Sequence, residues 1–169
     1  HVVTRASRRD ALESRIRELK LENVKIHYID LPKWARFWKT GYAGTQLYYR
    51  LWQYALVPTI RRLHQVHNFD LVHHVTFGGA IYPPGVAVLP IPFIWGPIAS
   101  LDSPKSFRVN LGYKNLASEL AHALLLRISP KIEPLVWLAS RKADVVVRVP
   151  NSTLHFKTTQ KVVEAGPIF

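Results

Sequence analysis

Phe69-Asp70-Leu71-Val72-His73-His74-Val75-Thr76-Phe77-Gly78-Gly79 is the stretch whose reading decides the fold. Apolar and β-branched residues occupy both alternating parities up to the histidine pair, the pattern of a strand covered on both faces. The Gly pair that follows lets backbone approach a ligand closely. Downstream, Pro90-Ile91-Pro92-Phe93-Ile94-Trp95-Gly96-Pro97 reads as a second buried strand running into a turn. Ala143-Asp144-Val145-Val146-Val147-Arg148-Val149-Pro150 is the last clear strand. Upstream, His1-Val2-Val3-Thr4-Arg5 reads as a strand, and Val24, Ile26, Tyr28 and Leu31 alternate roughly with polar residues before Pro32 stops them.

Helical patterns fill the gaps. Ser7 and Asp10 have capping-box spacing ahead of Leu12, Ile16 and Leu19. From Gln46 to Val66 the periodicity is helical, with Gln46, Arg50, Gln53, Arg61 and Gln65 tracing a narrow polar stripe. Pro58 is expected to kink or split this helix. Asn115 to Arg127 is a further helix, Pro134 opens the next at its first turn, and Ser152 or Thr153 is placed to cap a short one. Strands alternating with helices in this way predict an α/β fold, an open parallel sheet with helices on both faces, in one domain over residues 1–169.

Composition narrows the function. The chain has 169 residues, 23 Lys and Arg against 11 Asp and Glu, and a net charge of +12. Hydrophobic residues make up 48%, which is globular composition. With no Cys there is no disulfide scaffold, thiolate zinc site or cysteine nucleophile. No run approaches the roughly 18 apolar residues of a membrane span. The sequence contains no Met and begins at His1 on an apparent strand, so a piece of a longer protein is expected.

In an open α/β sheet, ligands bind beyond the carboxyl ends of the strands. Three such ends stand out: the His73-His74 segment with Thr76, Gly78 and Gly79; Gly96 and Pro97 followed by Ser100; and Arg148 to Thr153. Imidazoles at a strand end can bond hydroxyls or phosphates. Adjacent strand residues point to opposite faces, so one of the pair faces a given site. That divergence also argues against a metal site on His73 and His74, and no metal is expected. Asn151-Ser152-Thr153 fits a glycosylation sequon but reads here as a helix cap. Gly-x-Gly-x-x-Gly, Walker, Gly-x-Ser-x-Gly and His-Glu-x-x-His motifs are absent from the sequence.

The positive charge is interleaved with aromatics in Lys33-Trp34-Ala35-Arg36-Phe37-Trp38-Lys39, and Tyr48-Tyr49-Arg50-Leu51-Trp52 continues the pattern, so residues 33–52 are expected to dock on an anionic membrane. Such mixtures suit an anionic membrane surface, and Lys33, Trp34, Arg36, Phe37, Trp38 and Lys39 are the expected docking residues. The same mixture could serve a non-enzymatic α/β binding module that meets nucleic acid through its basic face. A third reading is a flavodoxin-like domain used for protein contacts. The bland alternative is aromatics in the core and cations on a solvated face.

The order of the Asp70-x-x-His73 strand, the Pro92-Phe93-x-Trp95-Gly96-Pro97 strand and the Ala143–Val147 strand resembles the N-terminal domain of family-4 (group 1) retaining glycosyltransferases. The resemblance implies the acceptor-side, Rossmann-like half of a GT-B fold. It implies transfer of a sugar from a nucleoside-diphosphate sugar to an acceptor hydroxyl, with retention and without a required cofactor or metal. The acceptor would be a sugar, lipid or glycan; nucleic acid is not an expected partner under this reading. An active-site role carries over to the histidine ending the Asp-x-x-His strand, which is His73, with His74 beside it. Thr76, Gly78, Gly79, Gly96, Pro97 and Ser100 would shape the substrate cleft. A first strand with its Gly-rich loop and the whole nucleotide-binding domain would lie outside this chain, which alone would be inactive. The implied location is cytoplasmic, peripheral on the inner face of the membrane.

Overall fold

The computed structural model describes residues 1–36, 41–75, 79–99, 120, 121, 124, 128, 131–150, 152 and 161–165, with backbone alone at 42 and 43. The chain is mixed α/β, with parallel sheets and helices, and divides into two compact units, His1–Leu56 and Val57–Phe169. Thr76, Phe77, Gly78, Ser100, Phe37, Trp38, Lys39, most of the Asn115–Arg127 helix and Thr153 lie outside the described residues.

In the first unit, strands β1 (Val2–Thr4) and β2 (Ile26–Tyr28) pair in parallel, Val2 opposite Ile26 and Thr4 opposite Tyr28. Parallel neighbours need a crossover, supplied by α1 (Arg9–Glu18). Ser7 does not cap it. A 3₁₀ turn over Ala6–Arg8 displaces the helix start, and Arg8 takes the cap position without a side-chain bond. Ion pairs Arg9–Glu13 at 3.9 Å and Arg15–Glu18 at 2.6 Å lie on the surface of α1. Exposed pairs of this kind contribute about 0.3–0.5 kcal/mol each.

Helix α2 (Gly41–His67) runs through Pro58 without splitting, giving up one backbone hydrogen bond there. Its packed face differs from the sequence reading. Tyr48, Tyr49, Trp52, Gln53 and Leu56 are buried, Gln53 at 2% exposure, while Leu47, Leu51 and Tyr54 face out. Gln53 is tolerated inside because its Nε2 donates to the Tyr49 hydroxyl at 2.9 Å. The Trp52 indole N–H donates to the Ile29 carbonyl at 2.9 Å and ties the helix to the end of β2. Asn68, at φ 47°, ends α2 and donates its amide to the His64 carbonyl at 2.8 Å.

The second unit holds a sheet of four parallel strands in sequential order: β3 (Val72–His74), β4 (Phe93–Ile98), β5 (Val145–Arg148) and β6 (Lys161–Glu164). The register sets His74, Trp95, Val146 and Val162 on one face, and His73, Ile94, Val145 and Lys161 on the other. The core gathers on the first face, where Phe93, Trp95, Ile98 and Val146 cluster with Val136 and Ala139 of α3 (Pro134–Lys142). As the sequence suggested, Pro134 sits in the first turn of α3; the Glu133 carboxylate caps it, accepting from the Val136 amide at 2.8 Å.

Two polar clamps hold the sheet to its connections. Asp144 accepts the Phe93 amide on Oδ2 at 2.8 Å and returns its own amide to the Phe93 carbonyl at 2.9 Å. The Lys142 ammonium donates to the Ala87 carbonyl at 3.1 Å and to the Leu89 carbonyl, pinning the end of α3 to the 3₁₀ turn Gly85–Val88 and the residue after it. Burial lowers the Lys142 pKa, partly offset by Asp144. Strand β6 escaped the sequence reading, and its four residues are all exposed.

Candidate functional site

The site is built where β3, β4 and β5 end. Gly96 interrupts β4, and the pairing with β5 shifts register between Trp95 and Ile98. At φ 140° Gly96 holds a conformation open to glycine alone; a Cβ there would lie 2.3 Å from the Val147 carbonyl oxygen. The Gly96–Pro97 peptide is cis. The Gly96 carbonyl is met by the His73 side chain, whose Nε2 lies 2.9 Å away. A carbonyl can only accept, so in neutral His73 the proton is on Nε2 and Nδ1 is the basic nitrogen. His73 is exposed, so this oriented imidazole meets solvent at the end of β3.

His74, one residue on, has the opposite environment. It is buried on the core face beside Trp95. Burial, and secondarily the neighbouring His73, pushes its pKa down to about 4. With so low a pKa it is neutral at physiological pH. The structure thus separates the two candidate histidines: His73 is the exposed one.

The neighbouring ends complete the edge. Gly79 is buried, and a Cβ on it would rest 4.0 Å from the Ala99 carbonyl, so the chain after β3 passes beside the end of β4. The Val149 amide donates to the Ile98 carbonyl at 2.9 Å, and the Ala165 amide to the Arg148 carbonyl at 2.7 Å. Arg148 ends β5 and its guanidinium pairs with Glu164 at the end of β6. Its Nε is buried and has no hydrogen-bond partner among the described residues. Ser152 is buried and lies outside any helix, its amide bonded to the Val149 carbonyl at 3.1 Å. Of the residues expected at this cleft, His73, Gly79, Gly96 and Pro97 lie at adjoining strand ends, and Thr76, Gly78 and Ser100 lie outside the described residues.

The first unit has a strand-end cluster that sequence reasoning missed. Asp30 follows β2 and accepts from the Leu31 amide at 3.0 Å, from the Tyr48 hydroxyl, and from Arg36 at 3.2 Å. The Arg5 guanidinium, just past β1, stands 5.9 Å from the Tyr48 ring centroid. Desolvation, reinforced by the bond to Asp30, raises the Tyr48 pKa to about 12. Burial does the same to Tyr49, against a lowering contribution from Gln53. An Asp two residues past the strand and two before Pro32 was the available signal. Among the expected membrane-docking residues, Lys33 and Trp34 are exposed, Trp34 at 74%, while the Arg36 charge is spent on Asp30.

Compared with known proteins, the chain matches no family model, no curated protein and no solved structure. Among the described residues, no group of three or more His, Asp or Glu side chains is placed to hold a metal ion. No helix among them is long and apolar enough to cross a membrane.

Proposed function

We propose that this chain is the acceptor-side, Rossmann-like domain of a retaining GT-B glycosyltransferase that uses a nucleoside-diphosphate sugar. The observation that carries the reading is His73: an exposed imidazole at the end of a parallel strand, oriented through Nε2 by the Gly96 carbonyl. In this reading Nδ1 accepts a hydrogen bond from the acceptor hydroxyl. The hydroxyl oxygen bonds to the anomeric carbon as the sugar–phosphate bond breaks, its proton passes to Nδ1, and the nucleoside diphosphate departs with the bonding electrons. Gly79 and the Gly96–Pro97 bulge keep side chains out of the cleft wall, so a sugar can lie against backbone.

The nucleotide would be gripped by a second domain beyond this chain. The enzyme would work in the cytoplasm, peripheral on the inner membrane face. The expected docking contacts of the 33–39 segment reduce here to Lys33 and Trp34 among the described residues.

The test is sugar transfer by the protein as its gene encodes it, comparing wild type with His73→Ala. Loss of an oriented hydrogen-bonding base is expected to lower kcat/KM by about 10²-fold or more. The nucleic-acid alternative would show instead as salt-dependent RNA or DNA retention with no affinity for nucleotide sugars.

A further inference from the structure

Two histidines of the first unit meet side chain to side chain, far along the sequence from His73. His1 Nδ1 lies 2.9 Å from His27 Nε2, and the two rings are nearly parallel, with 15° between their planes. The backbone brings them together. Val3 stands opposite His27 in the parallel register of β1 and β2, and strand alternation puts residues 1 and 3 on one side. The Val2 amide donates to the Lys25 carbonyl at 2.8 Å and fixes the chain just after His1. His1 is exposed and His27 half-buried, so the pair is reached from solvent. Two imidazole nitrogens at this distance share one proton, so at least one ring is neutral there and offers a lone pair.

We propose that His1 and His27 together chelate a late first-row divalent metal ion, Cu2+ ahead of Ni2+ and Zn2+. Metal–imidazole bonds of about 2.0–2.1 Å put two nitrogens about 2.9 Å apart at a right angle and about 3.4 Å apart at the tetrahedral angle. The observed 2.9 Å matches the right angle, the tetragonal geometry of Cu2+ and Ni2+ rather than the tetrahedron of Zn2+. Ligand chemistry selects the same ions. Residues 1–56 hold eleven Lys and Arg against five Asp and Glu, a net of +6, which repels hard cations that depend on carboxylate oxygens. A neutral imidazole binds by donating its lone pair, and affinity then rises along the series that peaks at Cu2+. On binding, the ring that carries the shared proton moves it to its far nitrogen, so both imidazoles ligate neutral and no net proton is lost. The rings turn until both lone pairs converge on the ion. His1 is exposed and precedes β1, so its ring turns without disturbing the strand pairing. Water fills the remaining positions, and the ion ties the amino end of β1 to the middle of β2. This inference does not rest on sugar transfer and uses none of its residues.

The probe is Cu2+ alone, titrated into the gene-encoded protein at neutral pH in a weakly coordinating buffer. Affinity is read by competition with a chelating dye, and the ligands by electron paramagnetic resonance. A tetragonal signal split by two imidazole nitrogens is expected. His1→Ala and His27→Ala should each weaken Cu2+ binding about 10²-fold, because a chelate becomes a single ligand. His67→Ala should leave it unchanged. Ni2+ and Zn2+ should compete for the site, whereas excess Mg2+ or Ca2+ should not. Acid should release the ion, because protons compete for the same lone pairs. Circular dichroism checks that His27→Ala is folded, and His1→Ala, outside the strand, provides a second variant that leaves the pairing intact. Unchanged Cu2+ affinity in both folded variants, a signal from oxygen ligands alone, or displacement by Mg2+ would overturn the inference. So would an equal loss in His67→Ala, which would assign the ion to other histidines.

Discussion

Residues 1–56 and residues 57–169 each end parallel strands in a cluster of polar side chains, and the two clusters are finished in opposite ways. After β2, Asp30 is saturated: the Leu31 amide, the Tyr48 hydroxyl and Arg36 all converge on one carboxylate. Its partners are buried or ion-paired, and the charge is consumed where it stands. After β3, exposed His73 donates from Nε2 to the Gly96 carbonyl, and among the described residues Nδ1 has no hydrogen-bond partner. A strand end whose polar groups satisfy one another is a structural joint. A strand end that orients a group and leaves its reactive atom unspent is a place for a ligand.

The sharpest way to break the comparison is at Gly96. Gly96→Ala forces a Cβ into the Val147 carbonyl, so β4 and β5 cannot keep their pairing. The expected loss is about 4 kcal/mol or more, read as failure of the second unit to unfold cooperatively in urea. A variant with a wild-type unfolding curve would mean the bulge is not needed to present His73.

Acid probes the buried member of the histidine pair. His74 in the folded protein has a pKa of about 4, against 6.5 for the free side chain. Between these values the unfolded chain binds the extra proton, so stability is full above about pH 6.5 and falls as the pH drops toward 4. The fall is expected to reach roughly 3 kcal/mol at most. His74→Gln should flatten that part of the pH–stability curve. An unaltered curve in His74→Gln would contradict the burial assigned to it.

On the saturated side, Asp30→Ala strands the Tyr48 hydroxyl and Arg36, at an expected cost of about 2 kcal/mol. Spectroscopic titration sharpens the point. Tyr48 and Tyr49 should ionise only near pH 12, and losing the carboxylate should lower Tyr48 part of the way, because burial, the larger cause, remains. The raised tyrosines also predict stability lost as the pH climbs from 10 toward 12, because there the folded state holds protons that the unfolded chain has released.

The parallel α/β plan was legible because its strands are β-branched runs separated by helical periodicity, and Pro134 and the runs at 70–75 and 143–150 carried most of it. Alternation said that His73 and His74 diverge but not which one is outside. That depends on α3 packing against Trp95 and Val146, a tertiary choice. The orientation of α2 was hidden for a related reason. A Gln marks a helix's wet side unless it has a buried partner, and the Tyr49 hydroxyl is invisible to periodicity. Strand β6 was missed because its apolar signature is only Val162-Val163, two exposed residues between Lys161 and Glu164. Asp30 was passed over because its partners come from as far as residue 48.

The contrast between a spent and an unspent strand end rests finally on His73. The decisive measurement is kcat/KM for sugar transfer by the gene-encoded protein carrying His73→Ala, with its thermal midpoint recorded alongside. The expected result is a loss of about 10²-fold or more in kcat/KM with the midpoint nearly unchanged, since an exposed side chain contributes little to stability. Wild-type turnover by a folded His73→Ala protein would contradict it.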